Sequence, residues 1–223
     1  CGTYKYEITD LVHPGTHAVV VAAVNNVLPS RKGLFSLTHR FGGLYRDVEI
    51  EATPDTRIDD AWVRGDFDQQ TAEVHATIAT AKEAGRLKNP VLRVKIQPAV
   101  GHGPSVVGKE AITFVEGKTS AEVRCRVKLD PFHPWSPEQP NLYVAEIELC
   151  DGETPVHGWT ERFGVRKIEV RGDRFFLNNK PFFVRGFGDD FVYPLTLVSP
   201  ASKEEDLRHL KISRAAGFNY VGL

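Results

Sequence analysis

The sequence contains no methionine, and its first residue is a cysteine. Residue 1 is therefore expected to lie inside a longer reading frame, and the first residues say nothing for or against a leader peptide. Cysteine itself is scarce: Cys1, Cys125 and Cys150 are all there are. An odd count with no CxxC and no Cys/His spacing points away from zinc or redox chemistry and leaves buried or free thiols. The compartment stays open between cytoplasmic, periplasmic and secreted. Excess charge is missing too. Lys and Arg total 28 against 29 Asp and Glu, a net −1, so nucleic acid or an anionic membrane surface finds no electrostatic footprint. No apolar run approaches the roughly 18 residues of a membrane span, and no internal repeat or low-complexity tract is present. What remains is 223 residues, 41% hydrophobic and 26% charged. That is an ordinary globular balance, long enough for one or two domains.

Residues 1–53 read as β. Tyr4, Tyr6 and Ile8 alternate with polar neighbours, and His13-Pro14-Gly15 signals a turn. The apolar, β-branched run 18–24 suits a strand covered on both faces. A polar loop, 27–40, precedes Gly42-Gly43 and a strand through Leu44, Tyr45, Val48 and Ile50. Three strands are too few for a sandwich, so this reads as the last part of a larger β domain.

Residues 54–168 carry seven strand-like runs, at 58–64, 72–78, 91–96, 110–115, 121–127, 142–149 and 154–163, with Gly, Pro and Asp turns between them. That spacing predicts an antiparallel sandwich of immunoglobulin type. Val74, Ala76 and Ile78 alternate, as do Leu92, Val94 and Ile96, so each run turns one face into a core. The Cys–Trp–Cys hallmark of antibody domains is absent. Residues 80–86 read as a solvated connection.

Residues 169–223 change pattern. Asn178-Asn179 between two aromatic runs predicts a tight hairpin. The run 182–184 reads as a strand leading into Arg185-Gly186 and a loop with Asp189 and Asp190. Ser202 followed by Glu205 predicts a helix start by capping box. Leu207, Leu210 and Ala215 give its apolar stripe, and Gly217 its stop. A second apolar run begins at Tyr220. Strand, helix, strand is a βαβ unit with a parallel sheet.

Four stretches resemble glycoside hydrolase family 2, the β-galactosidase, β-mannosidase and β-glucuronidase group. YKYEITDLVHPGTHAVVV resembles the late strands of the family's sugar-binding jelly roll. GGLYRDVEIEATP resembles its jelly-roll exit, PWSPEQPNLYVAEIEL a motif of its sandwich domain, and FGVRKIEV with FFLNNKPFFVRGFG the start of its catalytic (β/α)₈ barrel. They occur in the family's order and span nearly the whole chain. The resemblance implies a mainly β chain in three parts: the C-terminal part of a jelly roll (1–53), an immunoglobulin-like β-sandwich (54–168), and the first βαβ of a truncated (β/α)₈ barrel (169–223). It implies a retaining, exo-acting β-glycosidase, β-galactosidase-like, acting on a β-linked oligosaccharide or glycoside.

Such chemistry needs two carboxyl groups about 5–5.5 Å apart. The family carries them as glutamates on later barrel strands, so this chain alone is expected to be inactive, with no catalytic residue, no metal and no cofactor. Its implied partners are the rest of the barrel or further copies of itself. Barrel sites gather where strands end, which makes Arg185, Asp189 and Asp190 the substrate-binding candidates. Arg185 is implied to support the nucleophile's carboxylate. Asp189-Asp190 is not read as a catalytic pair, because neighbours in an extended chain point to opposite faces. His39, Arg40 and Arg46 read as structural pairing, His102 and His133 as solvated loop residues. Trp62, Trp135 and Trp159 have rings suited to stacking on sugars, although core or domain packing is the plainer role. Two other classes stay open, a stand-alone carbohydrate-binding module and a structural spacer. The βαβ start argues against both.

Overall fold

A computed structural model describes residues 5–15, 48–81, 87–101, 103–188 and 202–222. The chain divides into two compact units, Cys1–Glu51 and Ala52–Leu223.

In the first unit the described residues hold a 3-10 turn at Thr9–Leu11. The alternation at Tyr6 and Ile8 makes no strand there. The Thr9 amide donates instead to the Glu7 carboxylate at 3.0 Å, and a local acceptor of this kind competes with a ladder. Residues 48–50 are likewise outside any strand, and Val48 and Ile50 are exposed. The run 18–24, the loop 27–40, Gly42-Gly43, His39, Arg40 and Arg46 lie outside the described residues.

The second unit contains the expected sandwich. Its strands are β1 (Thr56–Asp66), β2 (Thr71–Thr80), β3 (Pro90–Pro98), β4 (Val106–Ala111), β5 (Ser120–Lys128), β6 (Tyr143–Asp151) and β7 (Thr154–Phe163). One sheet runs β1-β2-β5, the other β4-β3-β6-β7, and every pairing is antiparallel. The alternation read from sequence is what closes the core. Val74, Ala76 and Ile78 point inward from β2, Leu92, Val94 and Ile96 from β3, and Ala145, Ile147 and Leu149 from β6. Each fully buried aliphatic side chain stabilises the fold by about 1.5–3 kcal/mol. Cys125 and Cys150 are free and buried, and burial pushes the Cys125 thiol up to about 11, where it is inert.

One expected strand is displaced. Residues 110–115 were to form it, but the ladder occupies Val106–Ala111. The apolar residues after it close the core without a ladder: Ile112 is buried and Phe114 packs against the cluster. Gly108 is required within β4, because a Cβ there would sit 2.7 Å from Val127 and 2.8 Å from the Cys125 sulfur. Only glycine lets β4 approach the opposite sheet so closely.

Three short strands follow, β8 (Ile168–Arg171), β9 (Arg174–Leu177) and β10 (Lys180–Phe182), as an antiparallel meander. The β9–β10 turn is the predicted hairpin. Asn178 and Asn179 take φ of 51° and 64°, the left-handed pair that a two-residue type I′ turn requires. Next come β11 (Gly186–Gly188), α1 (Lys203–Ala215) and β12 (Tyr220–Gly222). β11 and β12 pair in parallel, Gly186 opposite Tyr220 and Gly188 opposite Gly222. The Ser202 hydroxyl caps α1 by accepting from the Glu205 amide at 3.3 Å, and Gly217 ends it at φ 88°. None of the helix is buried; Leu207 and Leu210 of the stripe are about half exposed.

The first strand of the parallel pair is not where sequence places it. The run 182–184 splits: Phe182 ends β10, and the parallel strand starts at Gly186. A Lys-Pro-Phe sequence directly after an Asn-Asn turn is committed to the hairpin, so the chain breaks before it can join a second sheet.

Candidate functional site

That shift moves Arg185. It was expected after a strand; it stands immediately before one, at the N-terminal side of β11. Its guanidinium Nε donates to the Gly217 carbonyl at 2.7 Å. Its amide donates to Asn219 Oδ1 at 2.8 Å, and its carbonyl accepts from the Asn219 amide at 2.9 Å. Asn219 also donates from Nδ2 to the Phe183 carbonyl at 3.0 Å. Arg185 is thus pinned to the segment that leads from α1 into β12, and its charge is spent on a helix C-terminus, where a cation is favoured. Gly186 is needed beside it, since a Cβ would meet the Tyr220 ring at 2.8 Å. Phe187 and Phe218 pack edge to face, with centroids 5.3 Å apart. Asp189 and Asp190 follow Gly188 in sequence and lie outside the described residues.

A second set of contacts seats the meander on the sandwich. The Trp135 amide donates to the Val165 carbonyl at 2.8 Å, and its ring lies under the Arg166 guanidinium at 4.8 Å. Asn178 joins both parts: Nδ2 donates to the Trp135 carbonyl at 2.9 Å, and Oδ1 accepts from the Lys167 amide at 3.0 Å. Gly164 leaves room for the indole, because a Cβ there would be 3.2 Å from Trp135. The Lys167 ammonium bonds the Asp68 carboxylate at 2.6 Å. That bond raises Lys167 above its ordinary value and holds Asp68 below its own. Lys167 also reaches Glu169 at 3.1 Å, and Glu169 pairs with Arg171. Tyr143 works from within the sandwich; its hydroxyl accepts from the His133 amide at 2.7 Å, and burial raises its pKa.

The tryptophans separate by role. Trp135 is this junction, Trp159 packs against the core, and Trp62 stands half exposed on the outer face of β1. His133 is fixed through its amide, and His102 lies outside the described residues. No group of three His, Cys, Asp or Glu side chains capable of holding a metal occurs among the described residues. Sequence reasoning missed Asn178 and Asn219 as tethers. The signal for Asn219 was present: an Asn two residues after a helix-ending glycine is well placed to bond the chain beside it.

Comparison with known proteins matches residues 56–166 to the glycosyl hydrolases family 2. The β-galactosidase large subunit of Latilactobacillus sakei is 30% identical over 162 residues, which cover 70% of this chain and 24% of that protein. A β-glucuronidase of Paenibacillus borealis is 27% identical over 208 residues, covering 83% of this chain and 32% of that one. A solved family 2 structure from Bacteroides cellulosilyticus superposes with a TM-score of 0.61 at 21% identity, over 76% of this chain and 23% of that one. The chain therefore spans about a quarter to a third of the length of these relatives.

Proposed function

We propose that this chain, which belongs to glycosyl hydrolases family 2, is the supporting part and barrel start of a retaining, exo-acting β-glycosidase. The parts are the late jelly roll (1–53), the immunoglobulin-like sandwich (54–168) and the start of the (β/α)₈ barrel (169–223). One observation carries the reading: after the short β8–β10 meander, a parallel β11–α1–β12 unit follows a sandwich that the family matches. A binding or spacer module has no use for it, since two parallel strands and a helix make no domain of their own. The half-exposed Leu207 and Leu210 of α1 suit cover by further barrel elements.

The substrate is a glycoside with a terminal β-linked sugar, with β-galactose the preferred glycone; the named relatives are a β-galactosidase large subunit and a β-glucuronidase. The two carboxyl groups of the retaining mechanism belong to later barrel strands than β12, so the 223 residues alone are inactive. Asp189 and Asp190, on the C-terminal side of β11 by sequence, are the sugar-contact candidates. Arg185 acts by holding β11 to β12, in place of the direct carboxylate support expected of it.

The test uses aryl β-galactoside and aryl β-glucuronide with two proteins, this chain and the full reading frame from which it comes. The expected result is background release by the chain and turnover by the full protein, with the β-anomer as first product by proton NMR. Turnover by the chain alone, or an α-anomer first product, overturns the reading.

A further inference from the structure

The outer face of the β1-β2-β5 sheet carries side chains that the sandwich core does not use. Its registers set side chains in rows. Trp62, His75 and Arg124 form one row. Arg64, Glu73 and Arg126 form the next. All six point away from the core, because their neighbours Ala61, Val63, Val74, Val123 and Cys125 fill it.

The rows differ from an ordinary solvated face in two ways. Trp62 is 48% exposed yet held flat, its ring parallel to the His75 imidazole at 3.8 Å and 7°. The imidazole is fixed in turn by Glu73, whose carboxylate lies 2.8 Å from His75 Nε2 and also pairs with Arg126. These bonds hold the Glu73 carboxyl below its ordinary value. Glu73 is thereby used by Arg126 and His75. Arg64 and Arg124 have no ion pair or side-chain hydrogen bond among the described residues. Both are exposed, and both stand within one strand spacing or one side-chain repeat of the stacked rings, about 5–7 Å. A cleft of about 340 Å³ opens beside Arg64, lined by Arg64, Asp66, Glu73, Arg126 and Arg166 among others. Asp60 and Glu122 close the far side.

We propose that this face binds an acidic oligosaccharide, a β-linked chain carrying a uronate, with a sugar ring on Trp62 and its carboxylate on Arg64 or Arg124. The exposed indole supplies the flat apolar surface that the CH face of a pyranose needs. A guanidinium recognises a carboxylate bidentately. The excess of arginine over acid in these two rows favours an anion, while the acidic row beyond repels one, so the carboxylate is steered to the arginine side.

Calorimetric titration of the 223-residue chain with hyaluronan tetrasaccharide, and with cellotetraose as the neutral control, tests this. Binding of the uronate probe is expected, weakened by added salt and at least tenfold tighter than the neutral one. Trp62→Ala lowers it tenfold or more. Arg64→Ser or Arg124→Ser, whichever removes the arginine that holds the carboxylate, lowers it about tenfold, the size of one charge-assisted bond. These two surface changes carry the test if Trp62→Ala fails to fold. Absent binding, equal binding of both probes, or full binding by all three variants overturns the proposal. So does self-association that vanishes with Trp62→Ala, which makes the face a contact between copies.

Discussion

The sandwich and the segment after it obey the same rules of patterning and reach opposite states. In β2, β3 and β6 the inward residues join one buried cluster shared by both sheets, and the inward positions are essentially sealed. In α1 a proper helix, well capped at Ser202 and stopped at Gly217, buries nothing. The difference is not in propensity. The sandwich contains both halves of each contact it makes; α1 and the β11/β12 pair contain one half. Local signals suffice to form an element, and burial alone makes it stable.

The largest test of this contrast is a matched pair of truncations. Leu149→Ala removes a side chain with no exposure from the centre of the sandwich and is expected to cost about 2–5 kcal/mol. Leu210→Ala on α1, at 51% exposure, is expected to change stability by less than about 0.5 kcal/mol. Urea unfolding followed by circular dichroism measures both. Equal losses would mean that α1 is packed as the core is.

A middle-sized effect separates the two asparagine tethers. Asn178→Ala removes two half-buried hydrogen bonds, to the Trp135 carbonyl and from the Lys167 amide, and leaves a non-glycine residue at φ 51°. A loss of about 1–3 kcal/mol in global unfolding is expected. Asn178→Gly recovers part of it, because glycine takes that φ freely. Asn219→Ala cuts bonds to Arg185 and Phe183 that are exposed. It is expected to speed amide exchange at Gly186 and Tyr220 while leaving the global midpoint in place. A global shift from Asn219→Ala, or none from Asn178→Ala, would reverse the ranking.

The same contrast decides what was legible in sequence. Strands of the sandwich could be read because alternation is imposed by burial on one face, and Val74-Ala76-Ile78 states it directly. The Asn178-Asn179 hairpin was legible because few residues tolerate left-handed φ. The strand at 110–115 was misplaced because Ile112 and Phe114 are apolar for plugging the core, a role that needs no ladder. Arg185 was misplaced because the run 182–184 is apolar enough for either sheet, and only the hairpin's geometry shows where it ends. The outward face of Trp62 was legible, because it alternates in step with Asp60 and Arg64, but its stacking partner His75 could not be read until register was known. The partners of α1 were not legible at all, because an apolar stripe says that a contact exists and not with what.

The smallest expected effect concerns the Lys167–Asp68 bond, 2.6 Å long and lying where the sandwich meets the meander. The Lys167 hydrogen bond depresses the Asp68 carboxyl from its ordinary 3.8. A depressed folded-state value means that the bond contributes stability at pH above 3.8 and loses it as pH falls through the lower folded value. Both side chains are solvent-accessible, so screening keeps the contribution small. Asp68→Asn is therefore expected to melt slightly below the parent at pH 6, and the gap is expected to close below pH 3. High salt should narrow the gap at pH 6 without moving it at pH 3. A gap that persisted at low pH would mean that Asp68 acts by a neutral contact, such as its hydrogen bond to Asn179. The meander would then be held to the sandwich by shape and neutral bonds, as the Trp135–Asn178 contact already holds it, with the ion pair contributing nothing.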